Sequence, residues 1–139
     1  MSIMGRRVPG TAVALVALAV LVVALIPVMT QARPDREIHL VARGMAFYLE
    51  GEPSVANPTL ELAAGERVRI VLLNDEQGMV HDFAVSALSV ETDRLAWRQR
   101  GEVTLVVPDR PGSYEYVCSP HRLLMRGVVR IAPHRSPPS

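Results

Sequence analysis

The sequence predicts an all-β fold, a Greek-key β-sandwich of about seven or eight short strands, preceded by an N-terminal hydrophobic helix. Three observations carry this reading. Beyond residue 32 the apolar residues recur with period two rather than with the helical period. Turn-forming Gly, Pro, Asn and Asp interrupt the chain at short intervals. Neither internal repeats nor an alternation of strands with helices occurs, which argues against a solenoid and against a parallel sheet.

Taken in order, Val8 to Met29 is apolar apart from Thr11, with Arg6 and Arg7 before it and Thr30-Gln31-Ala32 after it. A basic start, an apolar core and small residues at a cleavable junction are the parts of a signal peptide. The apolar run is longer than a usual signal core and nearly spans a bilayer, so an uncleaved membrane anchor through residues 8–29 is the competing expectation, slightly favoured. Either way the arginines stay on the cytoplasmic side and the rest faces outward.

The domain expected over residues 33–132 begins with a strand over Glu37 to Ala42, where Ile38, Leu40 and Ala42 alternate with polar neighbours. Ala46 to Leu49 is expected to continue it beyond Gly44. Thr59 to Leu62 forms a short strand, Gly65-Glu66 a turn, and Val68, Ile70 and Leu72 the inward face of a longer strand, followed by a polar loop from Asn74 to Gly78. His81 to Ser86 reads as a strand with Phe83 and Val85 on one side, and a short helix is expected between Ala87 and Gly101. Val103 to Val107, Ser113 to Cys118 and Gly127 to Ile131 complete the set, with Asp109 to Gly112 as a turn. Residues 133–139 read as a disordered tail.

Composition narrows the function. A chain of 139 residues is one domain. Its net charge of +1 falls to −1 without residues 1–32, and no basic run is interleaved with aromatics, so nucleic acid is excluded as a partner. All 15 basic residues are arginine, which removes lysine-dependent chemistry, and no glycine-rich phosphate loop is present. One cysteine, Cys118, cannot form an internal disulfide, and a free thiol outside the cytoplasm needs burial, a partner chain or a bound group.

That thiol lies in the run Tyr114-Glu-Tyr-Val-Cys118-Ser-Pro-His121-Arg-Leu-Leu-Met125-Arg-Gly127, with Gly78-Met-Val-His81-Asp82-Phe83 upstream. A strand ending at Cys118 and another starting near Gly127 make the intervening residues a tight loop that Pro120 stiffens, so Cys118, His121 and Met125 can converge. His81 follows a loop that can reach the same end of the sandwich. Two imidazoles, one thiolate and one thioether are the donor set of a blue-copper site, with Met at the longer axial distance. Singly, a buried Cys or Met is usually core and a His usually ordinary; their joint spacing is what carries the metal reading. His39, on the polar phase of its strand, and His134, in the tail, take no part, and Met79 is core or apolar rim.

These residues resemble the cupredoxins, in particular the plastocyanin, halocyanin and amicyanin group, over most of residues 36–132. The resemblance implies a cupredoxin-like sandwich with one copper ion held by His81, Cys118, His121 and Met125. It departs in two places. The His121–Met125 spacing lies between those of plastocyanin-like and amicyanin-like loops, and Asp82 stands where the family usually has Asn. A carboxylate there is expected to accept from the Ser119 hydroxyl or backbone and to lower the reduction potential.

The function implied is outer-sphere electron transfer, Cu(I)/Cu(II) cycling in an exported electron transport protein, periplasmic or on the outer face of the cytoplasmic membrane, that is not an enzyme. His121 is the expected electron port, within an apolar docking patch of Leu123, Leu124 and Met79 rimmed by Arg122 and Arg126. Val117 and Tyr116 offer a second route. Redox protein partners are expected to bind transiently to a monomer. Asp82, Ser119 and Pro120 form the layer behind the ligands. The alternatives are a copper carrier or sensor module, which needs a more open site, a Cys118–His121 thiol enzyme, for which no third group is visible, and a metal-free interaction sandwich.

Overall fold

In the computed structural model, residues 34–133 are described. The expected signal or anchor helix over residues 1–32, and all but the first residue of the expected tail, lie outside the described residues. Among the described residues there is no α-helix, and no helix is long and apolar enough to cross a membrane.

Among the described residues, nine strands form two sheets. In chain order they are β1 (Arg36–Arg43), β2 (Ala46–Leu49), β3 (Leu60–Ala63), β4 (Arg67–Asn74), β5 (Ala84–Val85), β6 (Val90–Glu91), β7 (Arg100–Val106), β8 (Gly112–Val117) and β9 (Arg126–Ala132). One sheet has the order β2-β1-β4-β7 and the other β3-β9-β8-β5-β6. β1 runs parallel to β4, and β3 parallel to β9; the remaining pairings are antiparallel.

The alternation in the sequence sets the faces. On β4, Val68, Ile70 and Leu72 point inward and Arg67 and Arg69 outward. Ile38, Leu40 and Ala42 of β1, Leu60 and Leu62 of β3, and Val129 and Ile131 of β9 fill the same core. Three aromatic rings tie the sheets together: Phe47 meets Phe83 and Tyr116 edge-on at 6.0 and 5.5 Å, and Phe83 stacks on Tyr116 at 5.2 Å.

Three expectations need correction. The short helix expected between Ala87 and Gly101 does not form among the described residues; that span holds the end of a 3-10 turn, β6 and the start of β7. Ala46–Leu49 does not continue β1 but folds back on it, Arg43 pairing with Ala46. Gly44 and Met45, both at positive φ (57° and 61°), make the two-residue hairpin turn that matches strand twist. The strand expected from His81 to Ser86 shrinks to Ala84–Val85, followed by a 3-10 turn at Ser86–Leu88 and by β6. His81 instead pairs through an isolated bridge with Leu95, and Ala84 is buried beside Phe83 and Val85. With both faces covered, period two vanishes there.

Candidate metal centre

β8 delivers Tyr116 and Cys118 to the interior two residues apart, and both are fully buried. The chain then enters a 3-10 turn, Ser119–His121, with Pro120 in its first turn, where a missing N–H costs nothing. The loop is closed by its own backbone. Cys118 N–H donates to Met125 O (2.9 Å), His121 N–H to Cys118 O (3.0 Å) and Met125 N–H to His121 O (2.9 Å). Asn57, at φ 49°, braces it from outside, accepting from Phe47 N–H and donating to Leu124 O.

His81 arrives from the other side. Its N–H donates to Leu95 O (3.1 Å) and its carbonyl accepts from Leu95 N–H (2.8 Å), so its backbone is held before β5 begins. Cys118 Sγ lies 3.6 Å from His81 Nδ1 and 3.5 Å from His121 Nδ1, and one donor atom from each residue lies within 4.8 Å of the others. The imidazole centroids are 5.0 Å apart. Three donors at about 2.0–2.3 Å from a shared ion, spread trigonally, stand roughly 3.5–4 Å apart, so this spacing fits a small metal ion. Met125 is fully buried in the same apolar cluster as Cys118.

The electrostatics favour neutral donors until a metal arrives. Burial pushes the Cys118 thiol up, against hydrogen bonds from the Asp82 and His121 backbone that pull it down. Burial likewise lowers His81, opposed by the Glu76 carboxylate.

Behind the ligands, Asp82 is wholly buried. Its Oδ1 accepts the Ser119 backbone N–H (2.5 Å), tying the His81 segment to the cysteine loop through the backbone of Ser119. Oδ2 has no hydrogen-bond partner, the nearest cation being the exposed Arg94 at 3.8 Å. Two residues here escaped the sequence reading. Glu76 Oε2 lies 3.0 Å from His81 Nε2. Asn74, buried at the inward end of β4, donates to Met79 O and Leu95 O (2.8 Å each) and accepts Glu76 N–H (2.9 Å). A signal for Asn74 existed: it continues the inward phase of Val68, Ile70 and Leu72, where a polar side chain must find partners.

Leu123 and Leu124 are 85% and 63% exposed, and with Met45, Ser119, Pro120, His121 and Arg122 they line an open hollow of about 690 Å³ over the partly exposed His121. Met79 is half-buried in the preceding loop, and Arg126 opens β9 with its guanidinium 3.9 Å from Glu115; neither lines that hollow. On the second route Val117 and Tyr116 are both buried, and the Tyr116 hydroxyl donates to Pro58 O (2.6 Å). His39 lies outside the site, between Glu37 (3.2 Å) and Glu50 (3.4 Å), and His134 lies outside the described residues.

A two-sheet sandwich with His, Cys and His gathered at one end is the architecture of a cupredoxin. Residues 56–132 match the family model of copper binding proteins of the plastocyanin/azurin family, and the chain belongs to that family. It is therefore a copper-binding protein of a family that holds one copper ion and serves electron transfer. Among solved structures, auracyanin B is 22% identical, with 75% of this chain and 94% of that chain covered and a TM-score of 0.60. Auracyanin A, a "blue" copper protein from the green thermophilic photosynthetic bacterium Chloroflexus aurantiacus, is 20% identical over 69% of this chain and 98% of its own, with a TM-score of 0.54. A rusticyanin variant is 20% identical over 73% and 80%, with a TM-score of 0.52. Comparison with curated proteins returned no match.

Proposed function

We propose that this chain is an exported single-electron carrier, an electron-transfer protein and not an enzyme, whose residues 33–132 hold copper through His81, Cys118, His121 and Met125. The observation that carries the proposal is the convergence of His81, Cys118 and His121 donor atoms, two of the three residues buried, directly beneath the exposed Leu123–Leu124 surface. A bound copper ion supplies a one-electron Cu(I)/Cu(II) couple.

The protein supplies everything else. The closed backbone of the Cys118–Met125 loop, Pro120 and the Asp82–Ser119 hydrogen bond hold the donors in one arrangement in both oxidation states, so little moves when an electron does. Met125, buried in the same apolar cluster as Cys118, would supply the fourth donor. His121, the only partly exposed member of the three, is the port, and the Leu123–Leu124 hollow excludes water where a partner lands. Arg122 at its edge and Arg126 further out favour an acidic redox partner through steering, and Met79 adds apolar surface, in a small, transient contact with a monomer. Asp82 beside Cys118 would lower the potential if ionised. Export, whether by a cleaved signal or through an anchor at residues 8–29, is supported by the basic-then-apolar start of the sequence. A purified mass beginning near Arg33 selects the signal; the full chain in the membrane fraction selects the anchor.

Titration of the reduced chain with Cu(II), followed by visible absorption and electron paramagnetic resonance, tests the site. An intense thiolate-to-copper band saturating at one equivalent and lost in Cys118→Ser is the expected result. Weak d–d absorption alone overturns it. Rapid electron exchange with small redox reagents, without transfer of copper to a chelator, separates the electron carrier from a copper carrier.

A further inference from the structure

His81 has two ring nitrogens, and the structure gives each a different task. Nδ1 faces the Cys118 sulfur at 3.6 Å, and Nε2 faces Glu76 Oε2 at 3.0 Å. A neutral imidazole that offers Nδ1 to a metal must carry its proton on Nε2, so this contact is a donated N–H on an anionic acceptor.

Glu76 is itself held in place. The same Oε2 accepts Met45 N–H at 3.0 Å, and Glu76 N–H donates to the buried Asn74 side chain at 2.9 Å. Met45 can present that N–H because the β1–β2 turn holds it at φ 61°, a conformation costly for a residue with a side chain. Glu76 is thus fixed from three directions, and its carboxylate is one-fifth exposed against a fully buried His81.

We infer that Glu76 is the positioning residue of the copper site: it fixes the His81 tautomer and ring orientation and, as an anion, makes the imidazole a stronger donor. A stronger donor favours the more highly charged Cu(II), so Glu76 holds the reduction potential down. The inference rests on the copper reading above and adds to it a residue that touches no metal.

Glu76→Gln is the discriminating variant. A Gln Oε1 in place of Oε2 keeps both hydrogen bonds, to Met45 N–H and His81 Nε2–H, and removes only the charge. In the full, copper-loaded chain the variant is expected to keep the intense thiolate band, to bind Cu(II) about tenfold more weakly with less loss for Cu(I), and to raise the midpoint potential. Because Cu(I) binding weakens too, the rise is expected to stay below about 59 mV, the one-electron equivalent of a tenfold difference between the two oxidation states. Glu50→Gln, on the outer face by His39, is the control and is expected to leave the potential unchanged. In the wild-type Cu(I) protein the His81 Nε2 proton should appear in nitrogen-15-resolved spectra as a downfield, slowly exchanging resonance, a test independent of any variant's folding. A retained thiolate band with an unmoved potential, or a rapidly exchanging Nε2 proton, overturns the role of Glu76. Loss of the thiolate band in the wild type instead overturns the copper reading.

Discussion

Cys118 binds metal only as a thiolate, yet burial pushes its thiol above the ordinary cysteine value. Copper uptake by the metal-free protein must therefore release a proton. Below the raised thiol value each bound ion displaces one proton, so apparent Cu(II) affinity should rise about tenfold per pH unit and level off only above it. His81, lowered by burial, is already neutral across that range and adds no second proton. Competition titrations between about pH 7 and 8, with proton release measured in weak buffer, check this slope. The convergence of His81, Cys118 and His121 was legible in the sequence, because Cys118 and His121 share a loop that two strands force shut and His81 follows a loop at the same end of the sandwich. Glu76 was not, because its reach to His81 depends on how the Gly44–Met45 turn aims a backbone N–H, and neither residue advertises that in the sequence.

The pairing of β8 with β9 places Gly127 opposite Tyr116. A Cβ at Gly127 would run into the Tyr116 ring, which cannot retreat because its hydroxyl is bonded to Pro58 O and its face stacks on Phe83. Gly127→Ala should therefore destabilise the fold by about 1–3 kcal/mol, read from the urea midpoint, and should disturb the copper spectrum, since Tyr116 leads directly to Cys118. Long alternating strands such as β1, β4 and β9 were readable because each shows one buried and one solvated face. The direction of β2 depended on two consecutive positive-φ residues, one of them a methionine, which turn rules do not anticipate. β5 and β6 have two residues each and no period to read.

Across the whole domain the two sheets meet on the Phe47, Phe83 and Tyr116 rings, and the donor residues His81 and Cys118 sit two positions from the latter pair. The two sheets close on a core made mostly of side chains that are not copper donors, so copper is expected to add stability by mass action rather than by building the fold. Removing it with a chelator should lower the melting temperature, a loss of about 2.7 kcal/mol when the free ion had stood at a hundred times its dissociation constant, and leave the far-ultraviolet signature of the sheets intact. Calorimetry beside circular dichroism reads both; collapse of the sheet signal would mean that the metal templates the fold.

The parallel ladder between β3 and β9 joins Leu60 to Val129 and Ala63 to Ala132, close to the end of the described chain. Such a contact spans half the sequence, and long-range pairings place a domain at the slow end of folding. The cysteine loop closes through the local β8–β9 hairpin, whereas His81 and the β3–β9 ladder join distant parts of the chain, so the copper pocket is complete only once those long-range contacts form. Until then the thiol is an open liability, and the interval before final strand closure is the period when oxidants compete with copper for Cys118.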